Sequence, residues 1–179
     1  MQTYKEVQSL EDDPGFTDKR EKIVLTLDLR VIDEPIRDIV EGFLKVPYCY
    51  TIQCCFGHSV LEGDDEHNLT PLSTRENLPE DTEVLWRIPY IAFCIQNSED
   101  GERLIEDLGG LAVIDPYNIQ FCSAEWFLQR WTNTYALQVE PERFKEQDTA
   151  TVGVEEALAL EEVRDRFFSG LRGVLKRHL

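Results

Sequence analysis

The residues after Gly153 constrain this chain most. Ala157, Leu160, Val163, Phe167, Leu171 and Val174 recur every three or four positions, the spacing that lines one side of a helix with apolar groups. Glu155 and Glu156 stand at its start, and Arg172, Lys176 and Arg177 stand near its end. Both placements suit the helix dipole. A stripe this long draws its stability from packing against another layer. The residues ahead of it must therefore build that layer.

Strand and helix patterns do alternate through those residues. Ile23, Leu25, Leu27 and Leu29 alternate with Val24, Thr26 and Asp28, which predicts a first strand with one buried face. Asp33-Glu34-Pro35 reads as a helix start: an acceptor for free amides, then a proline tolerated in the first turn. Ile36, Ile39, Val40, Phe43 and Leu44 share the stripe of that helix, and Pro47 stops it. Strands are expected over 48–54 and 88–95, the latter with Pro89 near its start. Ser98 predicts the cap of a helix holding Leu104, Ile105 and Leu108, closed by a left-handed turn at Gly109. A short strand follows at 112–114. Strands over 118–123 and 134–139 form a hairpin around Gln129-Arg130-Trp131.

This order makes the fold class α+β. The first six elements match a ferredoxin-like split βαβ core (βαββαβ), to which an extra strand and the long C-terminal helix are added. Residues 1–21 are polar, carry Pro14-Gly15 and read as an irregular N-terminal arm, leaving 22–179 as a single domain. Residues 59–85 lack periodicity and contain Pro71 and Pro79. They predict a long acidic loop, with a short helical turn near Ser73–Asn77 and Trp86 anchoring the loop as a lid.

Composition narrows the function classes. With 179 residues and a 42% hydrophobic share, the chain can bury a core. Its net charge of −17 repels phosphate backbones and disfavours nucleic acid as a partner. No apolar run approaches the roughly 20 residues a membrane span needs. The N-terminus leads into Glu11-Asp12-Asp13 rather than an apolar signal core, so a cytoplasmic protein is expected. The five cysteines then read as thiols, Cys94 being a small buried hydrophobe. Between Glu62 and Glu83 the acids stand against Arg75 alone. That loop is a solvated segment, or a surface for a cation or a basic partner. No Walker loop, G-x-G-x-x-G or G-x-S-x-G is present, which disfavours P-loop, dinucleotide and α/β-hydrolase chemistry.

Chemistry concentrates in Tyr48-Cys49-Tyr50-Thr51-Ile52-Gln53-Cys54-Cys55-Phe56-Gly57-His58-Ser59, a strand running into a polar turn. Gly57 permits close backbone approach to a ligand. Gln53, Cys55 and Ser59 are candidate ligand contacts. His58 is the candidate catalytic acid or base. Cys54 and Cys55 point to opposite faces if the strand continues, so one thiol faces the site. The competing reading packs the cysteines in the core and bonds His58 locally. Cys55-x-x-His58 has metal-ligand spacing, yet no second pair accompanies it, so no metal site is expected. Trp126, Phe127, Trp131 and Tyr135, with Arg130, are either hairpin packing or a stacking platform.

Asp33 through Ser59 resembles the tRNA wybutosine-synthesising methyltransferase family over about a sixth of the chain. That family has a helix, then a strand ending in a Tyr-Thr-x-Ser-Cys-Ser-Gly-Arg-like turn. The matching residues are Tyr50-Thr51-Ile52-Gln53-Cys54-Cys55-Phe56-Gly57-His58, with Thr51, Cys54 or Cys55, and Gly57 carrying the likeness. Gln53 and Phe56 stand where the family has serines, and His58 where it has arginine. The resemblance implies a similar strand-turn architecture and, as the enzyme reading, an S-adenosylmethionine-dependent transferase. Two other readings stand beside it. One is a small-molecule pocket at the end of the second strand. The other is a protein-interaction module, or an oligomer, working through the acidic loop or the C-terminal helix.

Overall fold

A computed structural model describes residues 6–124, 131–144 and 147–179. It is an α+β fold of helices α1 (Phe16–Thr26), α2 (Arg37–Phe43), α3 (Glu99–Gly110) and α4 (Val154–His178) around two sheets. Strands β1 (Cys49–Cys55), β4 (Tyr90–Ile95), β6 (Thr134–Val139) and β5 (Ile119–Ser123) form one antiparallel sheet in that order. Strands β2 (His58–Val60), β3 (Glu83–Arg87) and β7 (Thr149–Gly153) form the other.

The C-terminal stripe is the roof of both sheets. Ala157 and Leu160 pack with Val84, Trp86 and Val152 of the three-stranded sheet. Val163, Phe167, Leu171 and Val174 pack with Phe93, Ile95 and Leu137 of the four-stranded sheet, together with Phe43 of α2 and Leu104 of α3. Alternation along the strands explains this burial. Ile91, Phe93 and Ile95 face that core, while Cys94 faces a smaller cluster with Tyr50 and Phe16 on the opposite side.

The helix caps obey local rules. Ser98 Oγ accepts the Gly101 N–H at 3.1 Å, as expected at the start of α3. Gly109 does not close that helix in a left-handed turn. The chain instead continues through a 3-10 turn at Leu111–Ile114, so the strand expected at 112–114 is absent. Val113 remains 78% exposed there, because no neighbouring strand offers it a partner.

The alternation at 22–29 does not make a strand either. Helix α1 begins at Phe16, inside the segment read as an irregular arm, and a 3-10 turn follows at Leu29–Val31. The period-two face finds no sheet: Leu25 is 84% exposed and Val24 41%. Local bonds favour the helix instead. Asp13 accepts the Gly15 N–H and pairs with Lys19 at 2.8 Å, building the first turn. Phe16 is buried against Tyr50, ring centroids 5.4 Å apart. Arg20 donates to the carbonyls of Leu44, Val46 and Cys49, satisfying acceptors between the end of α2 and the start of β1. Among the described residues the element order is thus two helices, four strands, helix, three strands, helix, rather than βαββαβ.

The expected loop is also shorter than 59–85. Its start is β2, its end is β3, and Leu72–Thr74 forms a 3-10 turn. Trp86 is a fully buried β3 side chain and not a lid anchor. Strand β7, unforeseen, completes the second sheet. The hairpin of 118–123 with 134–139 forms as β5 and β6, while Trp126, Phe127 and Arg130 lie outside the described residues. All five cysteines are free thiols, and Cys94 is buried. Among the described residues, no helix is long and apolar enough to cross a membrane.

Leu25→Glu should change the urea midpoint by less than about 0.5 kcal/mol equivalent, as an exposed helix position does. Phe16→Ala should cost about 3 kcal/mol. A large loss at Leu25 would mean that the alternating face is buried after all.

Candidate functional site

Strands β1 and β2 are one extended run broken at Phe56-Gly57, and β3 and β4 are broken opposite them at Ile88-Pro89. The first sheet gives way to the second at this shared bend. Gly57 makes the bend feasible for two separate reasons. Its φ is +87°, a left-handed conformation that side chains resist. A Cβ there would also lie 2.9 Å from two Pro89 ring atoms.

The splayed strands leave a hollow of about 530 Å³ at the bend, lined by Asp33, Gln53, Cys54, Cys55, His58 and Tyr90 among others. Cys55 ends β1 and His58 opens β2. The two intervening residues turn elsewhere: Phe56 stacks on Phe168 at 5.5 Å, under the Arg164 guanidinium at 4.1 Å. The backbone of the turn then serves Cys55, whose Sγ accepts the Gly57 N–H at 3.3 Å.

Asp33 is the residue that sequence reasoning placed in another role. It was expected to cap the helix after it, but its side chain makes no cap bond. Its Oδ2 instead accepts the Phe56 N–H at 2.8 Å and lies 3.5 Å from His58 Nε2. No spacing rule links positions 33 and 58, and an aspartate before Glu-Pro carries the ordinary signature of a cap. His58 Nδ1 lies 3.3 Å from the Asn68 carbonyl. A carbonyl only accepts, so Nδ1 carries a proton, and in the charged ring Nε2 carries the second one and faces Asp33.

The electrostatics follow from these contacts. Burial alone would lower the His58 pKa, but hydrogen bonds and charge from Asp33 and Cys55 override it and raise the ring to about 10. Burial likewise opposes the Asp33 carboxylate, yet the His58 ring and the Phe56 N–H hold it below its usual range. Burial pushes the Cys54 thiol up to about 12, aided by Asp33 and Cys55. Cys54 therefore stays protonated at neutral pH, and Cys55 is the thiol beside the histidine.

Of the residues singled out in the sequence, Gln53, Cys55 and His58 line the hollow and Gly57 shapes it. Ser59 does not line it. Its hydroxyl donates to Glu161 Oε1 of α4 at 2.7 Å, in a buried site. The strand register explains this: Ser59 pairs with fully buried Trp86, whereas His58 pairs with Arg87, which lines the cavity.

Gly57→Ala adds both the positive-φ strain and the Pro89 clash, and should cost about 2–4 kcal/mol in chemical unfolding. The His58–Asp33 pair gives a pH signature. Because the folded pKa of His58 is raised from 6.5 to about 10, its stabilising contribution is full below pH 6.5 and is lost as pH rises through 10. Wild type with chelator present should lose stability across that window, and His58→Gln should show a flatter profile. Parallel profiles would sink the pairing.

No family model matches the chain, and no curated protein matches it. Solved structures do. The PH1069 protein of Pyrococcus horikoshii aligns over 96% of this chain and 97% of its own, at 11% identity and a TM-score of 0.50. A second structure under that name aligns over 91% and 93%, at 15% identity and TM-score 0.49. A hypothetical protein from Aeropyrum pernix aligns over 80% and 98%, at 11% identity and TM-score 0.44. At such identities the likeness to PH1069 at TM-score 0.50 speaks to the fold alone: this chain shares an α+β architecture with that protein over nearly the whole of both chains.

Proposed function

We propose that the protein binds a small molecule in the hollow at the bend. Gln53, Cys55 and His58 offer it polar contacts, and Gly57 allows the backbone to come close. The observation that carries this reading is convergence: residues from positions 31 to 148 meet around about 530 Å³, within the roughly 300–1,000 Å³ of ligand pockets generally. Ile88 and Tyr90 give the hollow an apolar wall, and His58 is the group placed to move a proton. Ser59, bonded to Glu161, plays no part in it.

The acids in the lining favour one ligand class. Asp33, Glu140 and Asp148 outweigh the Arg87 guanidinium and the charged His58 ring that already pairs with Asp33, so the wall keeps an excess of negative charge and a ligand carrying positive charge suits it. A sulfonium is such a charge, which gives the transferase reading suggested by the Tyr50–His58 resemblance a second support. The interaction-module reading loses half its basis. The apolar residues of α4, among them Phe167, Phe168, Leu171 and Val174, are buried within the chain itself, leaving the acidic loop as its remaining surface.

Calorimetry with S-adenosylmethionine and S-adenosylhomocysteine tests the reading. Binding of the sulfonium form is expected to be tighter than that of the neutral thioether. Gln53→Ala should weaken it about 10-fold, roughly 1.4 kcal/mol. No heat at millimolar ligand removes the transferase reading. Equal affinity for both forms, unaltered by Gln53→Ala, removes the charged-ligand argument as well.

A further inference from the structure

We infer that Asp33, Cys55 and His58 form a binding site for a single divalent transition-metal ion, Zn²⁺ by its donor chemistry, at the floor of the cavity. The sequence offers Cys55-x-x-His58 without a second pair. The fold supplies the missing donor from Asp33, far away in the chain. One ligand atom from each of the three residues lies within 4.8 Å of the others, and the Asp33 Oδ2 to His58 Nε2 separation is 3.5 Å. Donors about 2.0–2.2 Å from a tetrahedral zinc sit about 3.4 Å from one another. The aspartate and histidine are therefore already at ligand spacing, and the Cys55 thiol lies within 4.8 Å of both.

The surroundings of the donors separate a metal site from a catalytic relay. In a relay, the carboxylate holds one ring nitrogen and the thiol meets the other. Here Asp33 approaches Nε2, while Nδ1 is committed to the Asn68 carbonyl. A ring nitrogen donating to a backbone carbonyl is the usual outer partner of a metal-bound histidine. The other two donors have outer partners too: Phe56 N–H donates to Asp33 Oδ2, and Gly57 N–H donates to Cys55 Sγ. A thiolate and a carboxylate would neutralise a dication in this half-buried place. Thiolate, imidazole and carboxylate together favour zinc over magnesium or calcium. All three residues line the cavity, so a remaining coordination position would open toward it, the arrangement of catalytic rather than structural zinc.

The test needs only the metal; a bound ion would take up Cys55 and His58, leaving Gln53 and the open coordination position to meet a small molecule, so metal binding and small-molecule binding are read separately. The full chain is stripped with chelator and titrated with Co²⁺, then with Zn²⁺ in competition. One equivalent should bind, with the near-ultraviolet charge-transfer band of a cobalt–thiolate bond and release of the protons on Cys55 Sγ and His58 Nε2. Cys55→Ser should abolish the band. Asp33→Asn should weaken Zn²⁺ binding by at least the 10- to 100-fold typical of outer-shell losses. Asp65→Asn should leave both unchanged. Wild-type protein without the band overturns the site, whether or not any variant folds. So does binding that survives Cys55→Ser and falls with Asp65→Asn, the result of an adventitious ion only on the acidic loop.

Discussion

The close approach of Gly57 to Pro89 is the contact on which the rest of the architecture turns. Two antiparallel strands can pass from one sheet to another together only if both bend at the same level. Gly57 bends one through a positive φ. Pro89, which has no N–H to give a ladder, interrupts the other. Any side chain at 57 would push the strands apart. The hollow, the turned-in amides of Phe56 and Gly57 and the convergence of Cys55 with His58 are all consequences of this junction.

A bend needs something to hold it open at a fixed angle, and α4 does so. Its first turns cover the second sheet and its later turns the first. At the crossover, buried Glu161 accepts from Ser59 Oγ and from the Leu72 N–H, with Arg164 Nη1 3.6 Å away. Arg164 in turn lies over Phe56, inside the bend itself. A buried carboxylate is tolerated only when it is fully partnered. This network therefore ties the helix, the turn and the loop at 72 into one register. It also explains why Ser59, so near His58 in sequence, serves the scaffold.

Patterns that depended on close neighbours were readable in the residues. The C-terminal stripe became α4, Ser98 capped α3, and the 118–123 and 134–139 segments paired as a hairpin. Patterns that depended on finding a distant partner were not. The alternation at 22–29 needed a sheet edge and found none, so hydrogen bonds around Asp13 and packing of Phe16 decided for helix. Strand β7 has a weak pattern of its own and exists because β3 offers it a ladder. Trp86 looked like the end of a loop until β2 and β7 flanked it.

The candidate site divides along the same line. Residues 53–58 announced themselves, because a thiol, an imidazole and a glycine in one turn are chemistry within a few bonds of each other. Which of them face the hollow, and that Asp33 joins them, depended on the register of β2 against β3 and on where the chain after α1 is laid down. The sequence by itself determined the α+β class, the long helix and the turn. Only the tertiary structure decided which side chains meet, because a side-chain contact between positions 33 and 58 is set by packing geometry, and no local propensity encodes it.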